Sequence, residues 1–252
     1  MPPLPTKGSP PLQRADVRTR WIAPAPLGNR RRGRWVIIYD EHGHIRWKPI
    51  ELFQLAIDSP RPLINDFLTS GTPAAFATRD RYSGFLEAVA ERTGVHPRNL
   101  FLRGSCQVGF SIAPRPKVWT SMHADSDLDL AIVDADYFQR INQEVQKWAD
   151  DNRAESIRED VPSFDYVGWQ RDRRLYNCCR AEDLPLSVCV HHQETMATIA
   201  GLQHCGSKRE VNAFVFRDWW SVYRRYEWDL KELIGGVRGR RLTPPGDVPL
   251  PP

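Results

Sequence analysis

Residues 101–134, FLRGSCQVGFSIAPRPKVWTSMHADSDLDLAIVD, carry two features that decide how the chain folds. The first is the apolar run Leu100 to Leu102, broken by Gly104-Ser105. The second is Asp127-Leu128-Asp129-Leu130-Ala131-Ile132-Val133, which reads as a strand. Side chains alternate along a strand, so Asp127 and Asp129 leave one face while Leu128 and Leu130 enter the other. Two carboxylates on one face can share a cation. Aspartate is poorly suited to strands, and two of them inside a buried-looking LDLAIV run call for a partner. Gly104-Ser105 predicts a turn into a helix over 106–112, whose first free amides would favour anionic oxygen.

Outward from this stretch, strand and helix patterns alternate. A helix is expected from Asp80 or Ser83 to Arg92, with Phe85, Leu86, Val89 and Ala90 on one face and Gly94 as its end. Asp134 or Asp136 can cap another helix reaching about Asp151, where Tyr137, Phe138, Ile141, Val145 and Trp148 recur at helical spacing. Val211–Phe216 reads as a strand. Asp218–Ile234 reads as a helix that Gly235-Gly236 stops. Shorter helices are expected at 50–57, 63–68 and 193–201, a hairpin at 34–47, and strands at 164–167 and 186–190. The pattern is α/β or α+β: a mixed twisted sheet with helices packed on it and extra helices before it.

Composition sets limits on function. The chain has 252 residues, 41% of them hydrophobic, enough for a real core. It shows neither a long apolar run nor the apolar centre of a leader peptide, so a cytoplasmic protein without membrane contact is expected. Its five cysteines, Cys106, Cys178, Cys179, Cys189 and Cys205, show no framework spacing, which suits a reducing compartment. With His191, His192 and His204 they also lack zinc-site spacing. Cys106 is a candidate nucleophile for a cysteine enzyme using a distant histidine, its thiol expected to be acidified by a helix start.

Charge is uneven. Residues 1–34 carry eight Lys/Arg against Asp16, or +7, and 237–252 carry three Arg against Asp247, or +2; with a total of +4 the body is left at −5. The predicted organisation is therefore a Pro/Arg-rich arm over 1–33, a domain over 34–236 and a basic Pro-rich tail over 237–252. The arm is a candidate contact for nucleic acid or a partner protein.

Gly104-Ser105 followed by Ser126-Asp127-Leu128-Asp129-Leu130 resembles the signature of the DNA polymerase beta-like nucleotidyltransferase superfamily, in particular its small bacterial members. The resemblance implies a palm-like core and transfer of a nucleotide from a nucleoside triphosphate to a hydroxyl of RNA, a nucleotide or a protein. It further implies that Gly104 and Ser105 contact the triphosphate while Asp127 and Asp129 hold magnesium or manganese. Two magnesium ions about 3.5–4 Å apart are the usual arrangement for such transfer. Lys208 and Arg209, just before the late strand, are expected to meet the triphosphate as well. The third carboxylate of relatives falls on Asn212, which can accept a hydrogen bond or a metal but cannot serve as a base. Asp218 and Asp165 are its possible substitutes, and a nucleotide-binding protein without turnover is the alternative reading. A calcium loop beginning at Asp125 is excluded, because Leu130 and Asp136 stand where glycine and glutamate are required.

Overall fold

The computed structural model describes residues 48–113, 118–123, 126–151, 166–180, 188–202, 209–239 and 242, all within one compact unit. The arm over 1–33, the hairpin at 34–47, Asp165 and Lys208 lie outside these residues.

The chain is α+β, built on a four-stranded mixed sheet. In chain order the elements are α1 (Pro49–Asp58), α2 (Pro60–Pro62), a π-helical segment (Leu63–Leu68), α3 (Arg79–Thr93), β1 (Leu100–Leu102), α4 (Ser105–Val108), β2 (Leu128–Val133), α5 (Ala135–Asp151), α6 (Tyr166–Tyr176), β3 (Cys178–Cys179), α7 (Val190–Ala200), β4 (Val211–Phe216) and α8 (Trp219–Arg238). The strand order is β1-β2-β4-β3. The central pair β2 and β4 runs parallel, with Asp129 opposite Asn212, and both outer strands are antiparallel to their neighbours.

Local chemistry sets the helix ends. At the start of α1 the Glu51 carboxylate accepts from the Lys48 amide at 3.2 Å. The cap of α3 is Thr78, earlier than the expected Asp80 or Ser83, and Gly94 ends the helix in the left-handed conformation at φ 71°. Asp134 accepts from the Tyr137 amide at 2.8 Å and starts α5 as predicted.

The sheet is covered on both faces. Leu128, Leu130 and Ile132 point into a core shared with Phe85 and Val89 of α3, with Ile141 and Val145 of α5, and with Met196 and Ile199 of α7. The opposite face presents Phe101, Ala131, Val133, Phe214 and Phe216, all buried; Phe101 meets α8 by stacking on Trp219 at 5.4 Å. Asp129 and Asn212 fall on this second face by alternation.

Several expectations change. The helix expected at 106–112 is a single turn, since Gly109 takes φ 89° and closes it. Of the strand expected at 164–167, residues 166 and 167 open α6 instead, and of the one expected at 186–190, residues 188 and 189 form a bend and Val190 opens α7, with 164–165 and 186–187 outside the described residues. Gly235-Gly236 does not stop α8, which continues to Arg238. Gly236 is buried, and a Cβ there would stand 2.5 Å from Leu242 Cδ1, so the absence of a side chain seats Leu242. Packing outweighs the roughly 1 kcal/mol that glycine costs inside a helix.

A buried polar pair sits in the first core. Tyr137 Oη lies 2.9 Å from His192 Nδ1, while His192 Nε2 has no hydrogen-bond partner among the described residues. Burial lowers the His192 pKa from 6.5 to about 4. Below pH 6.5 the unfolded chain therefore binds a proton that the folded chain refuses, and stability falls as pH falls. A shift of this size corresponds to about 3 kcal/mol lost by pH 4. Urea unfolding of the wild type at pH 7 and near pH 4.5 should show the loss, and His192→Gln should show a smaller one over the same interval. An equal loss in the variant would assign the acid sensitivity elsewhere.

Candidate functional site

The two acidic positions and the glycine-serine turn meet at one end of the sheet. Gly104 takes φ 65° and ψ −144°, a combination open in practice only to glycine. It also faces Asp129 directly: a Cβ built on Gly104 would lie 2.7 Å from Asp129 Oδ2. The turn is pinned to the strand by the Arg103 amide, which donates to Asp129 O at 2.8 Å. Ser105 is half-buried at the start of α4. One helical turn has a small dipole, so what the turn offers the site is above all close approach.

Asp127 is exposed and Asp129 half-buried. Asn212 Nδ2 donates to Asp127 Oδ2 at 3.3 Å, and in the ladder Asn212 stands beside Asp129. The three side chains thus occupy one face, as alternation requires. Burial raises the Asp129 pKa, against which the positive charges of Arg103 and Arg180 act; Asp127 adds a smaller upward push. Arg209 is half-buried just before β4, with Nη1 3.8 Å from Met122 Sδ. Leu128 donates to Glu210 O at 2.8 Å, which places Arg209 at the same end of the sheet as Asp127.

Asp218 does not belong to this site. It follows the far end of β4, and its Oδ1 accepts from the Ser221 amide at 2.7 Å and the Ser221 hydroxyl at 2.6 Å, capping α8. Cys106 is no nucleophile either. It is fully buried, its Sγ donates to Asp127 O at 2.6 Å, and burial pushes its pKa up to about 11 rather than down. Trp169 is buried in the core.

Two participants were not legible in the sequence. Arg103 continues β1 opposite Asp129, and Arg180 follows β3; their guanidinium carbons lie 4.0 and 4.7 Å from the centre of the Phe214 ring. The segment between Val108 and Asp127 is tied together at its base. Phe110 bridges Ser121, and Ser111 donates to Thr120 O at 2.8 Å. Trp119 is buried, with φ 63°, against Phe110 and Phe53. Arg115 and Lys117 lie outside the described residues.

Two carboxylates with an amide oxygen nearby suit a hard divalent cation, which takes few protein oxygens and fills its remaining positions with water and phosphate. Among the described residues no group of three or more His, Cys, Asp or Glu side chains gathers to hold a metal. A cavity of about 360 Å³ lies elsewhere, between α1 and α8, lined in part by Ala56, Ile57, Leu230 and Ile234. Among the described residues no helix is long and apolar enough to cross a membrane. Compared with family models, curated proteins and solved structures, the chain matches none.

Proposed function

We propose that the chain is a metal-dependent nucleotidyltransferase with a palm-like core, moving a nucleotide from a nucleoside triphosphate to an acceptor hydroxyl. The observation that carries this reading is the contact between turn and strand: Gly104 leaves room for Asp129 Oδ2 where any other residue would place a Cβ at 2.7 Å. This conformation and the approach of Asp129 exclude any residue but glycine at position 104, and a shared ligand gives that close approach a purpose.

In this reading Asp127 and Asp129 hold magnesium or manganese. The bound metal supplies charge neutralisation at the triphosphate and a more acidic acceptor hydroxyl. Gly104 and Ser105 let the phosphates approach the carboxylates closely. Asn212 orients Asp127 through its amide hydrogen bond. Arg103 and Arg180 place positive charge beside Asp129 and offset part of the rise that burial imposes on its pKa. Arg209 adds charge at the mouth of the site.

Incubating the chain with each radiolabelled triphosphate and magnesium, then separating RNA, protein and small-molecule products, tests the activity. Asp127→Ala and Asp129→Ala are each expected to lower incorporation about a thousandfold, the scale of several kcal/mol of transition-state stabilisation. Labelling undiminished in Asp129→Ala would end the assignment.

Asn212 favours a second reading, in which the chain binds nucleotide, nucleic acid or a partner protein without turnover. An amide that donates to Asp127 stands where a third carboxylate would supply a base. Calorimetry with ATP and magnesium beside a pyrophosphate-release assay separates the two: heat without release selects the second.

A further inference from the structure

At the opposite end of the sheet the first turns of α8 expose aromatic rings that a solitary fold has no reason to expose. Trp220 is 65% exposed and Trp219 44% exposed. Neither indole hangs free. Trp220 stacks on Tyr223 at 5.4 Å and 14°, and Trp219 stacks on Phe101 at 5.4 Å and 18°. Trp219 Nε1 donates to Asn99 Oδ1 at 3.4 Å, and Tyr223 Oη accepts from Arg61 Nε at 3.2 Å, so both pairs are fixed at their edges. Each pair thus offers an accessible indole that is already ordered.

Arginines outnumber carboxylates around these rings. Arg61, Arg98, Arg217 and Arg224 are all exposed. The nearby carboxylates are engaged: Asp218 caps α8 through Ser221, Glu227 pairs with Lys231 at 3.2 Å, and Asp58 accepts from Gln54 at 2.9 Å. Exposed aromatic faces between exposed arginines are the elements by which proteins hold unstacked bases and the phosphates joining them.

We propose that this surface of α8 binds single-stranded nucleic acid, with Trp220 and Trp219 stacking on bases and the surrounding arginines meeting phosphate. The site stands apart from the carboxylates and does not depend on their chemistry. It belongs to the folded domain.

The test is fluorescence anisotropy of the full chain with fluorescein-labelled oligouridine and oligothymidine of about 12 nucleotides, at salt concentrations from about 50 to 200 mM. Trp220→Ala is expected to weaken binding about tenfold and leave the salt dependence unchanged, since stacking releases no counterions. Trp220→Phe keeps a ring and should retain most of the affinity. Arg224→Glu should weaken binding and flatten the slope of log affinity against log salt by about 1 or more. Asp129→Ala should bind as the wild type does, so failure of the catalytic reading leaves this one standing. Absence of wild-type binding would overturn the proposal, as would unchanged affinity in Trp220→Ala. A concentration-dependent dimer abolished by Trp220→Ala, with oligonucleotide affinity unaltered, would overturn it too and assign the surface to self-association.

Discussion

Gly104→Ala is expected to remove most nucleotide incorporation while leaving the chain folded, and the two effects have separable causes. The backbone at φ 65° and ψ −144° disfavours any Cβ, at a cost of about 1–3 kcal/mol. That cost falls on stability and would appear as a lower urea midpoint. The new methyl also meets Asp129 Oδ2 at 2.7 Å. A carboxylate at the end of a side chain moves more readily than a sheet does, so the expected response is that Asp129 turns away. Its displacement takes a metal ligand out of position, and incorporation should fall toward the level of Asp129→Ala. The double variant Gly104→Ala/Asp129→Ala should then be little worse than either single one, because both remove the same contact. Independent, multiplying losses would show that Gly104 acts on the substrate rather than through Asp129. Full activity in Gly104→Ala would show that the approach of turn and strand is incidental.

The acidic strand, the turn before it and the two long helices were readable because each rests on local chemistry. Asp134 caps α5 through its own side chain, and the alternation of Asp127 and Asp129 with Leu128 and Leu130 places both carboxylates on one face. Asn212 could be placed beside Asp129 because β4 carries the same alternation, and the register confirms the pairing. What could not be read depends on contacts distant in sequence. Gly235-Gly236 resembles a helix stop until Leu242 is seen to occupy the space over Gly236. Cys106 resembles an activated thiol beside a helix start until its burial is known. Strand β3 has two residues, too few for a periodic pattern. Arg103 is the plainest case, since nothing near it in the chain distinguishes it from a surface arginine.

Arg103 owes its place to α8. Its Nη2 lies 3.1 Å from Asp229 Oδ2, while Nη1 is buried without a hydrogen-bond partner among the described residues. Asp229 Oδ1 lies 3.2 Å from Arg225 Nε, and Arg225 Nη1 lies 2.6 Å from Asp172 Oδ2, which joins β1 through α8 to α6. The side chains of Arg103, Asp229 and Arg225 are 9%, 19% and 13% exposed. Asp229→Asn keeps the shape and removes the shared negative charge, leaving two shielded cations with one fewer counter-charge. Breaking such a pair costs about 3–5 kcal/mol, and for a domain of this size that lowers the melting temperature by about 10 °C. Glu227→Gln, which breaks the exposed pair with Lys231, should cost less than about 1 kcal/mol. Arg103→Met/Asp229→Leu removes one cation together with the anion, while Arg225 keeps Asp172. Because the loss in Asp229→Asn comes from stranded charge rather than from a missing contact, the double variant should recover part of it. A double variant less stable than Asp229→Asn would instead give Arg103 its stabilising role through stacking on Phe214 and Tyr226, at 4.0 and 5.3 Å.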